Sequence, residues 1–314
     1  MSERNLGPAR SLWQELPPNL RGALWILLAA ALLTGMGALV KHLGKDIPPI
    51  QMVFFRSLVA VAMILPIMLR TGVSAFRTKR PGMHLFRTMM GTMGMVCVFY
   101  AFAHLPLAET VAIVFSRPLF AVWLAIIFLG ETVGWRRISA AVAGFIGVLV
   151  MVRPGTAAFD PASLFALAAA ITAGSIAVII KKLSTTEATA TIVLWFSVGS
   201  AVVTAIPAIA LWVPPTPGQW TVLVMIGILG GTGMVALTKG FSTGDTSFVT
   251  PFDYSRLIYA TAIGFFIFAE TPDVWSVLGA LIIVGSGYYI ARRELAATRA
   301  RLRQRRSAGA TDGS

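Results

Sequence analysis

Residues 115–121 read Phe-Ser-Arg-Pro-Leu-Phe-Ala, and residues 254–260 read Tyr-Ser-Arg-Leu-Ile-Tyr-Ala. The two heptapeptides lie 139 positions apart. The register runs on without a gap, from Gly130-Glu131-Thr132 to Ala269-Glu270-Thr271. Upstream, Gly91-Thr-Met-Gly-Met-Val96 falls on Gly230-Gly-Thr-Gly-Met-Val235. One residue of slip aligns Lys41-His-Leu43 with Lys181-Lys-Leu183. Apolar sequence matches itself easily, but shared Arg, Glu and Gly in one register mark an internal duplication.

The duplication sits in a chain made for lipid. Of 314 residues, 56% are hydrophobic and 12% charged, against roughly 25% charged in a soluble domain. So few charges cannot cover a water-facing surface. About 20 apolar residues of helix cross a hydrocarbon core of ~30 Å. Ten stretches qualify: 23–40, 50–69, 85–103, 107–129, 138–152, 164–180, 190–211, 220–237, 246–269 and 274–291. The first has the basic flank of a signal peptide but no cleavage site before a polar domain, and it has a partner in the second copy, so it reads as a true span. Each copy holds five spans. Because five is odd, the second copy enters the membrane from the opposite side. The fold class is an all-α polytopic membrane protein of ten transmembrane helices in two inverted five-helix repeats. Such repeats underlie alternating access in many secondary transporters, with the site near the midplane between the halves.

Charge sets the expected orientation. With the N-terminus inside, 19 of the 26 Lys and Arg fall on the inner side or in the C-terminal tail. Only Lys41, Lys45 and Arg153 fall outside, and four lie at membrane depth. The bias places both termini in the cytoplasm, with the chain expected in an inner membrane. Trp212, Trp220 and Trp275 are expected at the outer interface and Trp135 at the inner one. The expected organisation is an N-terminal segment 1–20, a first repeat 21–155, a second repeat 156–295 and a basic tail 296–314. The two ends, to about residue 18 and from about 296, read as disordered. The net charge of +13 follows from this topology and from lipid attraction, so no nucleic-acid partner is expected.

Ionisable groups at membrane depth are costly and face a partner or a wet cavity. Arg117, Asp253 and Arg256 all fall near mid-membrane. Asp253 and Arg256 share a helical face and can pair. Arg117 and Arg256 are repeat equivalents, so pseudo-symmetry can bring both to a central cavity. Their planar forks suit a substrate carboxylate. The structural alternative has Arg256 neutralised by Asp253 and Arg117 bonded to carbonyls freed by Pro118. Asp253 can also carry a proton, although pairing with Arg256 argues against it. Phe115 and Tyr254, beside the two arginines, are the aromatic faces best placed to meet a flat substrate. Arg56 and Arg87 lie nearer the span ends and read as snorkelling charges. Glu131 and Glu270 end equivalent spans and read as organisers of turns or repeat-related backbone. Gly91 and Gly94, echoed by Gly230 and Gly233, read as close-packing positions, with a thin wall beside a substrate as the rival.

These residues give the chain a family look. Pro48-Pro49 with Arg56, Ser116-Arg-Pro118, Gly130-Glu131 before Gly144-Phe-Ile-Gly147, and the echo of Glu270, Gly279 and Gly285 resemble the EamA-type branch of the drug/metabolite transporter superfamily, over about residues 20–295. Bacterial members carrying S-adenosylmethionine or riboflavin look most similar. The resemblance implies ten helices, a cavity lined mainly by spans 1, 3, 4, 6, 8 and 9, and transport of small metabolites. The family often repeats the span-four proline in span nine. Here Leu257 stands in its place and Pro251 lies earlier, so a different kink is expected.

The expected function is a secondary carrier of a small organic metabolite bearing a carboxylate or zwitterionic group. It would bind at Arg117, Asp253, Arg256, Phe115 and Tyr254, as monomer or homodimer, among membrane lipids. No cofactor or metal is expected: Cys97 is alone, and the three His match no ligand spacing. Nor is a catalytic residue expected, because no P-loop and no acid–His–nucleophile cluster appears. A proton-coupled exporter of organic cations is the alternative within transport, disfavoured because span one holds no acid and the deep charges are net positive. A lipid-modifying intramembrane enzyme and a receptor or structural protein are the alternatives outside it. The former lacks the cluster, and the latter lacks large soluble loops.

Overall fold

A computed structural model describes residues 16–71, 78–129, 134–183, 186–187, 189–290 and 292. The expected terminal segment and basic tail, and Glu131, lie mostly or wholly outside them. Twelve helical segments make ten spans among the described residues. The first five spans are α1 (Pro18–Leu43), α2 (Pro49–Thr71), α3 (Pro81–His104), a pair α4 (Leu107–Val114) and α5 (Arg117–Leu129), and α6 (Trp135–Val152). The second five are α7 (Ala162–Leu183), α8 (Thr189–Ala210), α9 (Pro217–Thr243), a pair α10 (Thr246–Asp253) and α11 (Ser255–Phe268), and α12 (Val274–Ile290). Prolines open α1, α2, α3 and α9, at first-turn positions where a missing N–H costs no helical bond. The two inverted five-helix repeats are thus present, and α1, α3, α8 and α9 are each long and apolar enough to cross a membrane. Large apolar side chains face outward, as lipid requires: Ile206 is 79% exposed and Phe266 81%.

Spans four and nine are each built of two helical segments. Each is interrupted, at Phe115–Ser116 in the first repeat and at Tyr254 in the second. Phe115 and Tyr254 are the equivalent residues of the duplicated heptapeptide. Both keep right-handed backbone angles, so each break is a tightened turn rather than an unwound loop. Ser116 N–H and Oγ both donate to the Ile113 carbonyl, at 2.9 and 2.6 Å. Pro118 lies just after its break and Pro251 just before its own, so one turn is reached with prolines on opposite sides.

Glycines set how closely the spans approach. On α9, Gly230, Gly233 and Gly240 face Met36, Leu33 and Ile26 of α1, and an added Cβ would fall 2.5–2.9 Å from those side chains. Gly22 and Gly244 bring the two helices together at one end. Gly147 of α6 and Gly279 of α12 meet across the other pair of related spans. Gly94 packs α3 directly on Thr172 of α7. The small residues act here as in other membrane bundles, letting backbones come close enough for dispersion to hold them.

The two ends of the bundle differ. At the face carrying Lys41 and Glu270, α4 packs on α11 and α1 on α3. Their repeat-related counterparts at the opposite face are α10 with α5 and α7 with α9. Neither pair is in comparable contact among the described residues. Nine of the twelve largest fully buried side chains, Leu43, Ile47 and Leu105 among them, also belong to the Lys41 half. Among the described residues the two repeats are drawn together at the Lys41 face, and the related α5–α10 and α7–α9 contacts at the other face are not comparably made.

Candidate functional site

The repeat symmetry has a visible meeting point. The rings of Phe115 and Tyr254, equivalent residues, touch with centroids 5.1 Å apart. Beside them Arg117 and Arg256, also equivalent, share one carboxylate. Arg117 Nη2 donates to Asp253 Oδ2 at 3.1 Å, and Arg256 Nε lies 2.9 Å from Asp253 Oδ1. Asp253 is 4% exposed. The position equivalent to Asp253 in the first repeat is Val114, so one carboxylate serves two guanidiniums. The second ion pair is close in distance but off axis: Nε and Nη2 of Arg256 keep no hydrogen-bond acceptor among the described residues. The arrangement pins Asp253 from both halves while leaving donors to spare.

A cavity of about 370 Å³ opens beside this centre. Arg117, Arg256 and Phe115 line it. Asp253 stands behind the two arginines, and Tyr254 turns its hydroxyl toward α12, where a Cβ on Gly287 would lie 3.1 Å from it. All six spans implied by the family resemblance contribute to the wall, and α2 and α8 add Arg56 and Phe196. Two further arginines face this cavity, where the sequence reading had them snorkelling. Arg56 reaches the sulfur of Met95 with Nη1 at 3.1 Å and rests its Nε against Gly230. Arg87 lies over the Phe196 ring, its guanidinium carbon 4.0 Å from the centroid. Gly91, the repeat mate of Gly230, receives that same Phe196 ring. The paired glycines therefore make room for a side chain at the cavity wall, one an arginine and the other an aromatic ring.

A helical wheel carried the missed signal for Arg87. His84, Arg87, Thr88, Gly91 and Gly94 form one polar, small-residue stripe at spacings of three and four, and all are buried. Distance from the span end hid it.

The closed face is tied by charge. Lys41 Nζ pairs with Glu270 Oε1 at 2.7 Å and donates to the Leu105 carbonyl at 2.6 Å. Glu270 Oε2 accepts from the Leu107 N–H at 2.9 Å, capping the start of α4. So Glu270 does bind backbone of the other repeat. Nearby, Arg153 pairs with Asp273 at 2.6 Å. Hydrogen bonds from Ser276, helped by Arg153, hold the Asp273 carboxyl below the usual carboxylate range. Gln51 exchanges hydrogen bonds with the Val213 backbone, joining the start of α2 to the connection that follows α8. Among the described residues no group of three His, Cys, Asp or Glu is placed to hold a metal ion.

Comparison with known proteins agrees with this architecture. Residues 20–153 and 160–292 each match the EamA-like transporter family. The S-adenosylmethionine uptake transporter of Rickettsia prowazekii is 30% identical over 275 residues, 88% of this chain and 94% of its own. The pseudopaline exporter CntI of Pseudomonas aeruginosa is 31% identical over 268 residues, 84% and 93% of the two chains. The riboflavin transporter of Vibrio cholerae is 29% identical, over 88% and 94%. A solved crystal structure with 22% identity and a TM-score of 0.59, covering 87% of this chain and 98% of that one, shares the fold.

Proposed function

The chain belongs to the EamA-like transporter family, and from that premise we propose that it carries a small organic metabolite with a carboxylate or zwitterionic group across the bacterial inner membrane. Membership makes it a transporter rather than an enzyme, and a multi-pass membrane protein. The finer reading rests on the site. Arg256 and Arg117 bind the acidic group, Asp253 holds the two guanidiniums in place, and Phe115, backed by the Tyr254 ring, frames the substrate. The single observation that carries this is the set of spare donors on Arg256, buried at mid-depth beside a cavity. Donors there are stabilised by an anion and by little else the bilayer offers.

Alternating access supplies the motion. With the face opposite Lys41, which carries most of the Arg and Lys, cytoplasmic, the conformer described is open inward and closed outward. Opening outward would part α4 from α11 and bring α5 toward α10. A carrier of this kind runs down whichever gradient is present, and the relatives include both an uptake system and an exporter. Amino-acid-like and S-adenosylmethionine-like compounds head the candidate list, while a riboflavin-like compound, which bears no carboxylate, would meet only the aromatic and hydrogen-bonding parts of the site. A carrier of organic cations would need a free carboxylate in the cavity. Asp253, the acid at mid-depth among the described residues, is tied between two arginines.

The test is ligand-induced thermal stabilisation of the purified protein in detergent. The panel holds carboxylated metabolites, amino acids, flavins, S-adenosylmethionine and organic cations. A ligand that binds only the folded state at 100 times its Kd adds about 2.7 kcal/mol, which should raise Tm by several degrees. The expected result is a selective rise from acids or zwitterions. A rise from organic cations alone would overturn the proposal and move Asp253 to the centre of the mechanism.

A further inference from the structure

The cavity holds more positive charge than one carboxylate requires. Four guanidiniums line it, from Arg56, Arg87, Arg117 and Arg256, and Asp253 is the acid that answers them. It answers only two. Arg56 and Arg87 have no carboxylate partner among the described residues. Arg56 is given a thioether, a weak acceptor, and its buried Nε has no hydrogen-bond partner among the described residues. Arg87 is 9% exposed. One face of its guanidinium lies on the Phe196 ring, and its buried Nε and Nη1 have no hydrogen-bond partner among the described residues. A stacked arginine keeps its edge for hydrogen bonding, so the ring fixes the plane and leaves the fork free.

The two groups also stand apart. Arg56 lies about 10 Å along α2 from its Lys41-face end, and Arg87 about 9 Å along α3 from the opposite end. Their Cα positions differ by about 15 Å in depth, on either side of the Arg117–Asp253–Arg256 centre. Nothing in packing requires a bare guanidinium at either place, and burying one without a partner costs several kcal/mol. Gly230 is open enough to seat Arg56, and a Cβ there would fall 2.8 Å from its Nε.

We propose that Arg56 and Arg87 are binding residues for further acidic groups of the substrate, which is an elongated metabolite bearing two or more carboxylates. This rests on the carrier reading above and narrows it. The surplus of positive charge is neutralised when the substrate enters, and its acidic groups are spread along the cavity rather than gathered at the centre. A substrate with a single carboxylate leaves at least one arginine bare. An organic cation meets repulsion throughout.

The test compares probes of graded charge on the purified full chain: acetate, glutarate and citrate, with S-adenosylmethionine and riboflavin beside them. Affinity is read from thermal stabilisation. A hydrogen bond to a charged group is worth roughly 1.5–3 kcal/mol, so each added carboxylate should tighten binding about tenfold or more. Arg56→Gln and Arg87→Gln should each weaken citrate or glutarate binding about tenfold, and Arg56→Lys should recover part of it. Wild-type selectivity for di- and tricarboxylates over acetate needs no variant, so a misfolded variant does not rescue the idea. Stabilisation by a mono-acid or zwitterion that depends on Arg256 but not on Arg56 or Arg87 would overturn this inference while leaving the carrier site standing. Stabilisation by no acid, or none that depends on Arg256, would overturn both.

Discussion

Replacing Arg256 by alanine should abolish substrate flux while leaving the folded yield near that of the wild type. The reason lies in how Asp253 is held. Its carboxylate bonds Arg117 through Oδ2 and faces Arg256 through Oδ1. With Arg256 gone, Asp253 keeps the Arg117 bond and is not left as a bare buried charge, so the usual heavy cost of breaking a buried pair is largely avoided. The substrate fares worse. It loses the guanidinium whose Nε and Nη2 have no acceptor of their own in the described structure. A charge-assisted contact at mid-depth is worth roughly 1.5–3 kcal/mol, and a bidentate one more, so binding should weaken by tenfold to several hundredfold. Size-exclusion yield and ligand-induced stabilisation, measured on the same preparation, separate the two effects. Wild-type binding by this variant would remove Arg256 from the site.

Asp253→Ala should do the opposite first. Removing the shared carboxylate leaves Arg117 and Arg256 facing each other with nothing between. Breaking a buried pair costs about 3–5 kcal/mol, and the low end applies because the Arg117 side chain is 37% exposed and partly solvated. The expected result is a clear fall in Tm and in folded yield, with Asp253→Asn intermediate because it retains an acceptor. Differential scanning of the two variants checks this. A further sign distinguishes the structural role from a proton-carrying one: an anionic ligand added to Asp253→Ala should restore stability, since it supplies the missing negative charge. An unchanged Tm, with proton-driven flux lost and exchange without a proton gradient retained, would instead point to Asp253 as a proton carrier.

Much of this was legible in the sequence because duplication copies chemistry as well as shape. The shared Ser-Arg at 116–117 and 255–256 gives the repeat, the repeat gives the inverted topology, and the topology gives the expectation that two arginines converge. The structure adds that they do so on one carboxylate, which the first repeat does not supply. Other features were hidden for physical reasons. The breaks at Phe115 and Tyr254 keep helical backbone angles, and Pro118 and Pro251, which announce a kink in each span, sit on opposite sides of them and so do not mark where the turn tightens. Arg56 and Arg87 were misplaced because distance along a span says nothing about which way a helix faces. For Arg87 the stripe through Gly91 and Gly94 held the answer. For Arg56 the answer lies across the interface, in the space left by Gly230. The asymmetry between the two faces is a property of one conformer and cannot be written in a sequence that encodes both.

The most direct test of the central claim is counterflow in proteoliposomes. Vesicles loaded with an unlabelled acid that stabilises the purified protein are diluted into trace labelled acid, with no ion gradient and no ATP. A secondary carrier working by alternating access around the Arg117–Asp253–Arg256 centre should draw the label in transiently above equilibrium, chemically unchanged, and Arg256→Ala should not. Label that only equilibrates, emerges altered, or accumulates as well with Arg256→Ala would contradict the account.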